Sequence, residues 1–193
     1  SGVLIEMKRV ILPIVLLVLV IVIIRVNSGA ASMTIRPVEL TRETREVLDI
    51  LEDEVIFLNY AVDETMQSRS VELWQCEDGC WRVLGSSSAD LTSSRGEIAL
   101  RISEKNCGVF DVDDGGHAGV SWDISDSHTK QEAWTGYRLS EPTDIQAGKE
   151  ITLWAKYGYR DSESIGISTS NFRSATCDFG LAVTVKFWGE KVD

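Results

Sequence analysis

The sequence predicts a mainly β protein: an antiparallel β-sandwich of about ten strands, preceded by one short helix and an N-terminal hydrophobic helix. Three observations carry this. An uncharged apolar run occupies residues 10–24. A single helical periodicity follows at 40–54. From residue 55 onward the hydrophobic period changes to two, in short segments rich in Val, Ile, Trp and Thr that turn residues separate.

The apolar run VILPIVLLVLVIVII follows Met7-Lys8-Arg9 and precedes Arg25 and the small, polar stretch VNSGAAS. A basic start, an apolar stretch and small residues near Ala31 form the pattern of a secretory signal peptide. Counted from Val3 to Val26, the same segment is long enough for an uncleaved anchor with snorkelling ends. Residues 1–32 are therefore expected to be a signal peptide or membrane anchor, touching the membrane through residues 10–24 if uncleaved. Lys8 and Arg9 ahead of the run place the N-terminus inside and residues 33–193 outside. A buried core helix would show a polar face, and this run has none.

LTRETREVLDILEDE, at 40–54, is the one soluble helical pattern. Leu40, Val47, Leu48 and Leu51 recur at helical spacing, and Thr41 suits the N-cap. The expected helix covers about 41–52. Expected strands follow at 55–62, 69–76, 80–85, 96–102, 107–112, 118–124, 133–139, 150–157, 164–170 and 179–188. Asp78-Gly79, Asp114-Gly115-Gly116 and Ala147-Gly148 mark turns, while Ser86-Ser87-Ser88 and Ser93-Ser94 read as loop. Many short strands without alternating helices give an antiparallel sandwich or barrel.

The segment LWQCEDGCWRVL, at 73–84, holds two of the four cysteines. Read as a three-residue loop ending in Gly79, it sets Cys76 opposite Cys80, Gln75 opposite Trp81 and Leu73 opposite Val83. Val71, Leu73, Trp81 and Val83 would then face the core, and Trp74, Cys76, Cys80 and Arg82 would face outward. Zinc needs converging Cys and His ligands, and a thioredoxin-like site needs C-x-x-C at a helix start; the C-x3-C spacing at a hairpin tip fits neither. In an exported chain four cysteines favour two disulfides. Of the three connectivities, the favoured one is Cys76–Cys80 with Cys107–Cys177.

Other chemistry is sparse. Asp111, Asp113, Asp114 and His117 surround a glycine turn and form a weak calcium candidate. They lack the D-x-D-x-D-G spacing and the distal Glu of a calcium loop, so no metal is assigned. His117 and His128 are the only histidines, no G-x-S-x-G elbow occurs, and no catalytic residue and no cofactor is expected. Carboxylate pairs such as Glu132 with Glu141 or Asp144 arise readily in a chain with 30 acidic residues. Of the six tryptophans, Trp81, Trp122, Trp154 and Trp188 are expected in the core. Trp74, on the outer face beside Arg82, is the expected ligand contact.

Residues 1–32 contain Lys8, Arg9 and Arg25 against Glu6, so the remainder holds 16 basic and 29 acidic residues, a net charge of −13. Such a surface repels phosphate backbones and anionic lipid headgroups, which excludes a nucleic-acid partner and a polybasic membrane surface.

The stretch LSEPTDIQAGKEITLWAKYG, with the later FGLAVTVKFW and the ELTRETREVLDIL helix, resembles a family of small exported proteins of Gram-positive bacteria, often lipoproteins. Their S-E-P-[ST]-x-I-x-x-G-K-E-I-x-L stretch matches Ser140 to Leu153. The resemblance spans roughly residues 40–188. It implies a β-sandwich outside the cytoplasm and, since no activity is established for the family, no catalytic residue. Two departures stand out. No lipobox cysteine follows the apolar run, and the hairpin tip carries cysteines where the others usually have none.

The expected function is a non-enzymatic extracytoplasmic binding or structural domain, membrane-tethered at the cell surface or secreted, with an unknown protein or glycan partner. The alternative is a pilin-like filament subunit whose core helix is residues 3–26, with Glu6 near its start. Lys8 and Arg9 oppose that reading, because both cations would enter an apolar core.

Overall fold

The computed structural model describes residues 32–50, 54–113, 116–124, 131–161 and 170–192. The apolar run 10–24 lies outside these, as do the expected strand 164–170 (except Ser170), Leu51, Asp114 and His128. No helix among the described residues is long and apolar enough to cross a membrane.

Among the described residues, eleven strands and one helix form in the order β1 (Thr34–Pro37), α1 (Arg42–Ile50), β2 (Glu54–Ala61), β3 (Ser68–Glu77), β4 (Cys80–Asp90), β5 (Arg95–Ile102), β6 (Asn106–Asp113), β7 (Gly116–Asp123), β8 (Ala133–Arg138), β9 (Thr143–Asp144), β10 (Ile151–Tyr159) and β11 (Phe179–Trp188). A 3-10 turn at Phe172–Ser174 precedes β11. The first sheet has the order β7-β6-β5-β2-β1-β9, and the second has β4-β3-β11-β10-β8. Every ladder is antiparallel. The sandwich follows from the period-two pattern: Ile56, Leu58, Ile98, Leu100 and Val109 of one sheet meet Val71, Leu73, Leu181, Val183 and Val185 of the other in one buried core.

Nine of the expected strands stand where the period placed them. Strand β1 carries a single core residue, Ile35, and ends on a proline, so it gave little pattern to read. Ser86-Ser87-Ser88 are strand rather than loop: β4 continues to Asp90, paired with Ser68, as a polar edge strand. The helix has its expected cap, with the Thr44 amide donating to Thr41 Oγ1 at 3.3 Å. Of the apolar residues in and just before it, Leu40 and Leu48 are half-buried, while Val47 and Ile50 are exposed.

The β3–β4 hairpin corrects the sequence-based register. Its turn holds two residues, not three. Asp78 (φ 49°) and Gly79 (φ 79°) both take left-handed backbone, the I′ geometry whose twist matches that of the flanking strands. Glu77 therefore faces Cys80, Cys76 faces Trp81, Gln75 faces Arg82 and Trp74 faces Val83. A slip of one residue moves side chains to the opposite face. Val71 and Leu73 point into the main core as expected; Trp81 and Val83 do not.

The second sheet is buried on both faces. Its outer face carries Cys76, Ala155, Tyr157, Tyr159 and Ala182, which form a second core with Phe172 and Cys177. Trp74 and Trp81 pack against it. Phe172, delivered by the 3-10 turn, sits with its ring centroid 4.8 Å from that of Trp81 and 5.6 Å from that of Trp74. Residues 170–178 thus act as a cover over β3, β11 and β10.

Candidate functional site

Trp74 and Arg82, the expected contact pair, are separated by the register. Arg82 leaves on the other side of the hairpin and pairs with Glu77 at 2.9 Å. Trp74 does face outward from its sheet, but the cover reaches it. The guanidinium of Arg173 lies 4.0 Å from the Trp74 ring centroid, and the indole N–H donates to Thr184 Oγ1 at 3.3 Å. Trp74 is therefore a structural member of the second core.

The charges around it close on one another. Arg173 grips Glu150 with both terminal nitrogens, and Lys186 Nζ stands 3.3 Å from both Glu150 and Glu72. Burial alone would raise the Glu150 carboxyl, but hydrogen bonds and charge from Arg173 and Lys186 outweigh it and hold the group below the usual carboxylate range. A depressed carboxylate contributes stability above its unfolded pKa, and that contribution is lost as pH falls through the folded value. Glu150→Gln should thus be less stable than the parent at pH 7, and the gap should narrow as pH drops below about 4.5. Thermal melts of both proteins from pH 7 to pH 3 check this; a gap of constant size would show that the carboxylate charge is not what the network uses.

Of the calcium candidate, Asp111 alone has its side chain described. Asp111 faces between the sheets and forms an ion pair with Arg69 of β3, so its carboxylate is already neutralised. The side chains of Asp113, Asp114 and His117 lie outside the described residues. Among the described residues no three His, Cys, Asp or Glu side chains converge to hold a metal ion.

The cysteines are four free thiols. Cys80 is exposed on the edge strand, across from Glu77, while Cys76 is buried on the opposite face. The expected Cys76–Cys80 bridge fails because it required the three-residue loop. The expected Cys107–Cys177 bridge fails for a different reason: Cys107 lies in the core between the sheets and Cys177 in the second core, on the far side of the second sheet. Burial pushes the Cys107 thiol up to about 12, which makes it inert near neutral pH.

A cleft of about 450 Å³ lies at one end of the sandwich. Ile102, Ile124, Trp154 and Leu181 form its apolar wall. Trp134 lines it, half-buried against the core and edge-on to Phe179 with centroids 6.1 Å apart, and Lys156 Nζ lies 4.6 Å from its ring centroid. Glu54, Glu104 and Gln131 are the polar groups around it. Strand β10 makes room for this arrangement with Gly158: a Cβ there would stand 2.9 Å from the Trp134 ring and 2.6 Å from Gln131 Cγ. Trp134 escaped notice in the sequence because AWTGYRL reads as an ordinary strand. Of the tryptophans expected in the core, Trp154 is buried and Trp122 packs against the core, its ring lying on Gly85. Trp188 is exposed on the outer face, its indole N–H donating to Ser70 Oγ at 3.1 Å.

The fold and the cleft define a class, an antiparallel β-sandwich with an aromatic-lined end. Comparison with protein-family profiles, curated proteins and solved structures finds no match to this chain.

Proposed function

We propose that residues 33–193 form a non-enzymatic binding module outside the cytoplasm, tethered to a membrane or secreted through the apolar segment at 10–24, and that the Trp134 cleft takes a neutral glycan. The observation that carries this reading is the half-buried Trp134 ring lining a cleft of about 450 Å³, with Lys156, Glu54, Glu104 and Gln131 around it. A sugar ring needs an aromatic surface for its C–H face and polar groups within reach of its hydroxyls, and this constellation supplies both. Two carboxylates at the cleft, in a domain of net charge −13, disfavour an acidic ligand. The basic start and apolar run at the N-terminus support export.

The test is an array of neutral and acidic oligosaccharides probed with the purified full chain, followed by calorimetry on any hit. Binding to neutral sugars should weaken about tenfold in Trp134→Ala, the loss of roughly one stacking contact. Trp74→Phe, whose ring belongs to the second core, should leave the affinity unchanged. Absence of any neutral-sugar hit, or a hit indifferent to Trp134, would remove the proposal.

A further inference from the structure

Two thiols meet where the cover joins the sheet. Cys76, fully buried on β3, donates from its Sγ to the backbone carbonyl oxygen of Cys177 at 3.8 Å. Backbone bonds fix the chain beside Cys177: the Asp178 amide donates to the Gly158 carbonyl at 3.0 Å, and the Asp78 amide donates to the Asp178 carbonyl at 2.8 Å. Directly across the ladder from Cys76 stands Gly180, where a Cβ would lie 3.0 Å from Cys177 Sγ and 2.7 Å from the Trp81 ring. The missing side chain is what lets Cys177 lie down against the strand next to Cys76. Neither remaining cysteine shares this place, since Cys80 faces solvent on the other side of the hairpin and Cys107 belongs to the other core.

We propose that Cys76 and Cys177 form a disulfide that fastens the cover, residues 170–178, onto β3, and that the bond is made by exchange with a low-molecular-weight disulfide. The balance is simple. The Cys76 thiolate attacks one sulfur of the small disulfide and releases one thiolate. Cys177 then loses its proton and attacks the Cys76 sulfur of the mixed disulfide, releasing the second. Two protein thiols are oxidised and one small disulfide is reduced to two thiols. Cys76 is the attacking group because it stays in place on β3 while the cover carries Cys177. Both sulfurs are buried when the cover is down, so the exchange proceeds while it is raised, and docking of the cover brings Cys177 to the mixed disulfide. This inference goes beyond the glycan reading and does not depend on it.

The experiment takes the reduced full chain in a mild detergent, oxidises it with oxidised glutathione in low urea, alkylates it, and maps the unreduced digest. The expected result is one linked peptide pair joining Cys76 to Cys177, with Cys107 alkylated only after full denaturation. The bond closes a loop of about 100 residues, so the melting temperature should rise by about 10 °C. The rise should vanish in Cys177→Ser and persist in Cys80→Ser. Recovery of Cys76 and Cys177 in alkylated form, or their linkage to Cys80 or Cys107, would overturn the proposal. The mapping uses the unaltered chain, so a variant that folds poorly does not blur the outcome.

Discussion

Phe172→Ala is expected to destabilise residues 33–193 by about 4 kcal/mol, the middle of the range for truncating a buried aromatic side chain. Phe172 is only 1% exposed although it belongs to a 3-10 turn rather than a strand. Its ring fills the space between Trp74, Trp81 and the backbone of the cover, and the Arg173 guanidinium lies 4.3 Å from its centroid. Removing it opens a cavity beside Trp81, which is itself held edge-on against Tyr157. The loss should appear in urea unfolding monitored by near-UV circular dichroism. If the cover and the sandwich unfold together, the transition stays single and its midpoint falls. If the cover lifts first, a second phase appears at low urea, with tryptophan signals changing before strand content does. A loss below about 1 kcal/mol would mean that the outer face is not a second core.

The second core was written in the sequence in a form that strand periodicity does not read. A strand covered on one face alternates, whereas one covered on both faces becomes a continuous apolar run. Ile151–Tyr159 and Phe179–Trp188 are nearly uninterrupted in this way, and both are central strands of the doubly covered sheet. The periodicity located them correctly but left open what lay on the far side, because the cover itself, FRSATC, carries a lone Phe172 as its signal. The hairpin was legible too: Asp-Gly between two hydrophobic runs is the strongest two-residue turn signal, and counting Glu77 into the loop displaced every partner by one. That single displacement separated Cys76 from its neighbour Cys177 and paired Trp74 with Arg82. The cleft was not legible, since Trp134, Lys156 and Glu54 come from three strands whose meeting depends on sheet order.

Asp111→Ala is expected to cost about 3 kcal/mol and Arg69→Met about 1 kcal/mol or less, although both remove the same ion pair. The asymmetry comes from where the two charges sit. The Arg69 side chain is 6% exposed and that of Asp111 is 40% exposed. Arg69 projects from β3 across the sandwich toward Asp111 of β6 and Tyr60 of β2, so it ties the two sheets together. Burial draws its guanidinium below the ordinary arginine value, with Tyr60 opposing the shift. Without Asp111 that buried cation loses its anionic partner. Without the guanidinium, a half-exposed carboxylate rehydrates, and the methionine keeps the apolar stem packed. Urea unfolding of the two single variants and the double variant decides the matter. Asp111→Ala with Arg69→Met should recover most of what Asp111→Ala loses, because the uncompensated cation is gone. The same series separates this role from metal binding at Asp111: a calcium ligand would make the cost of Asp111→Ala depend on millimolar calcium, whereas an ion pair across the sandwich leaves it unchanged in calcium or chelator. Equal costs for the two single variants would show that the pair is solvated and that the sheets are held by apolar contact alone.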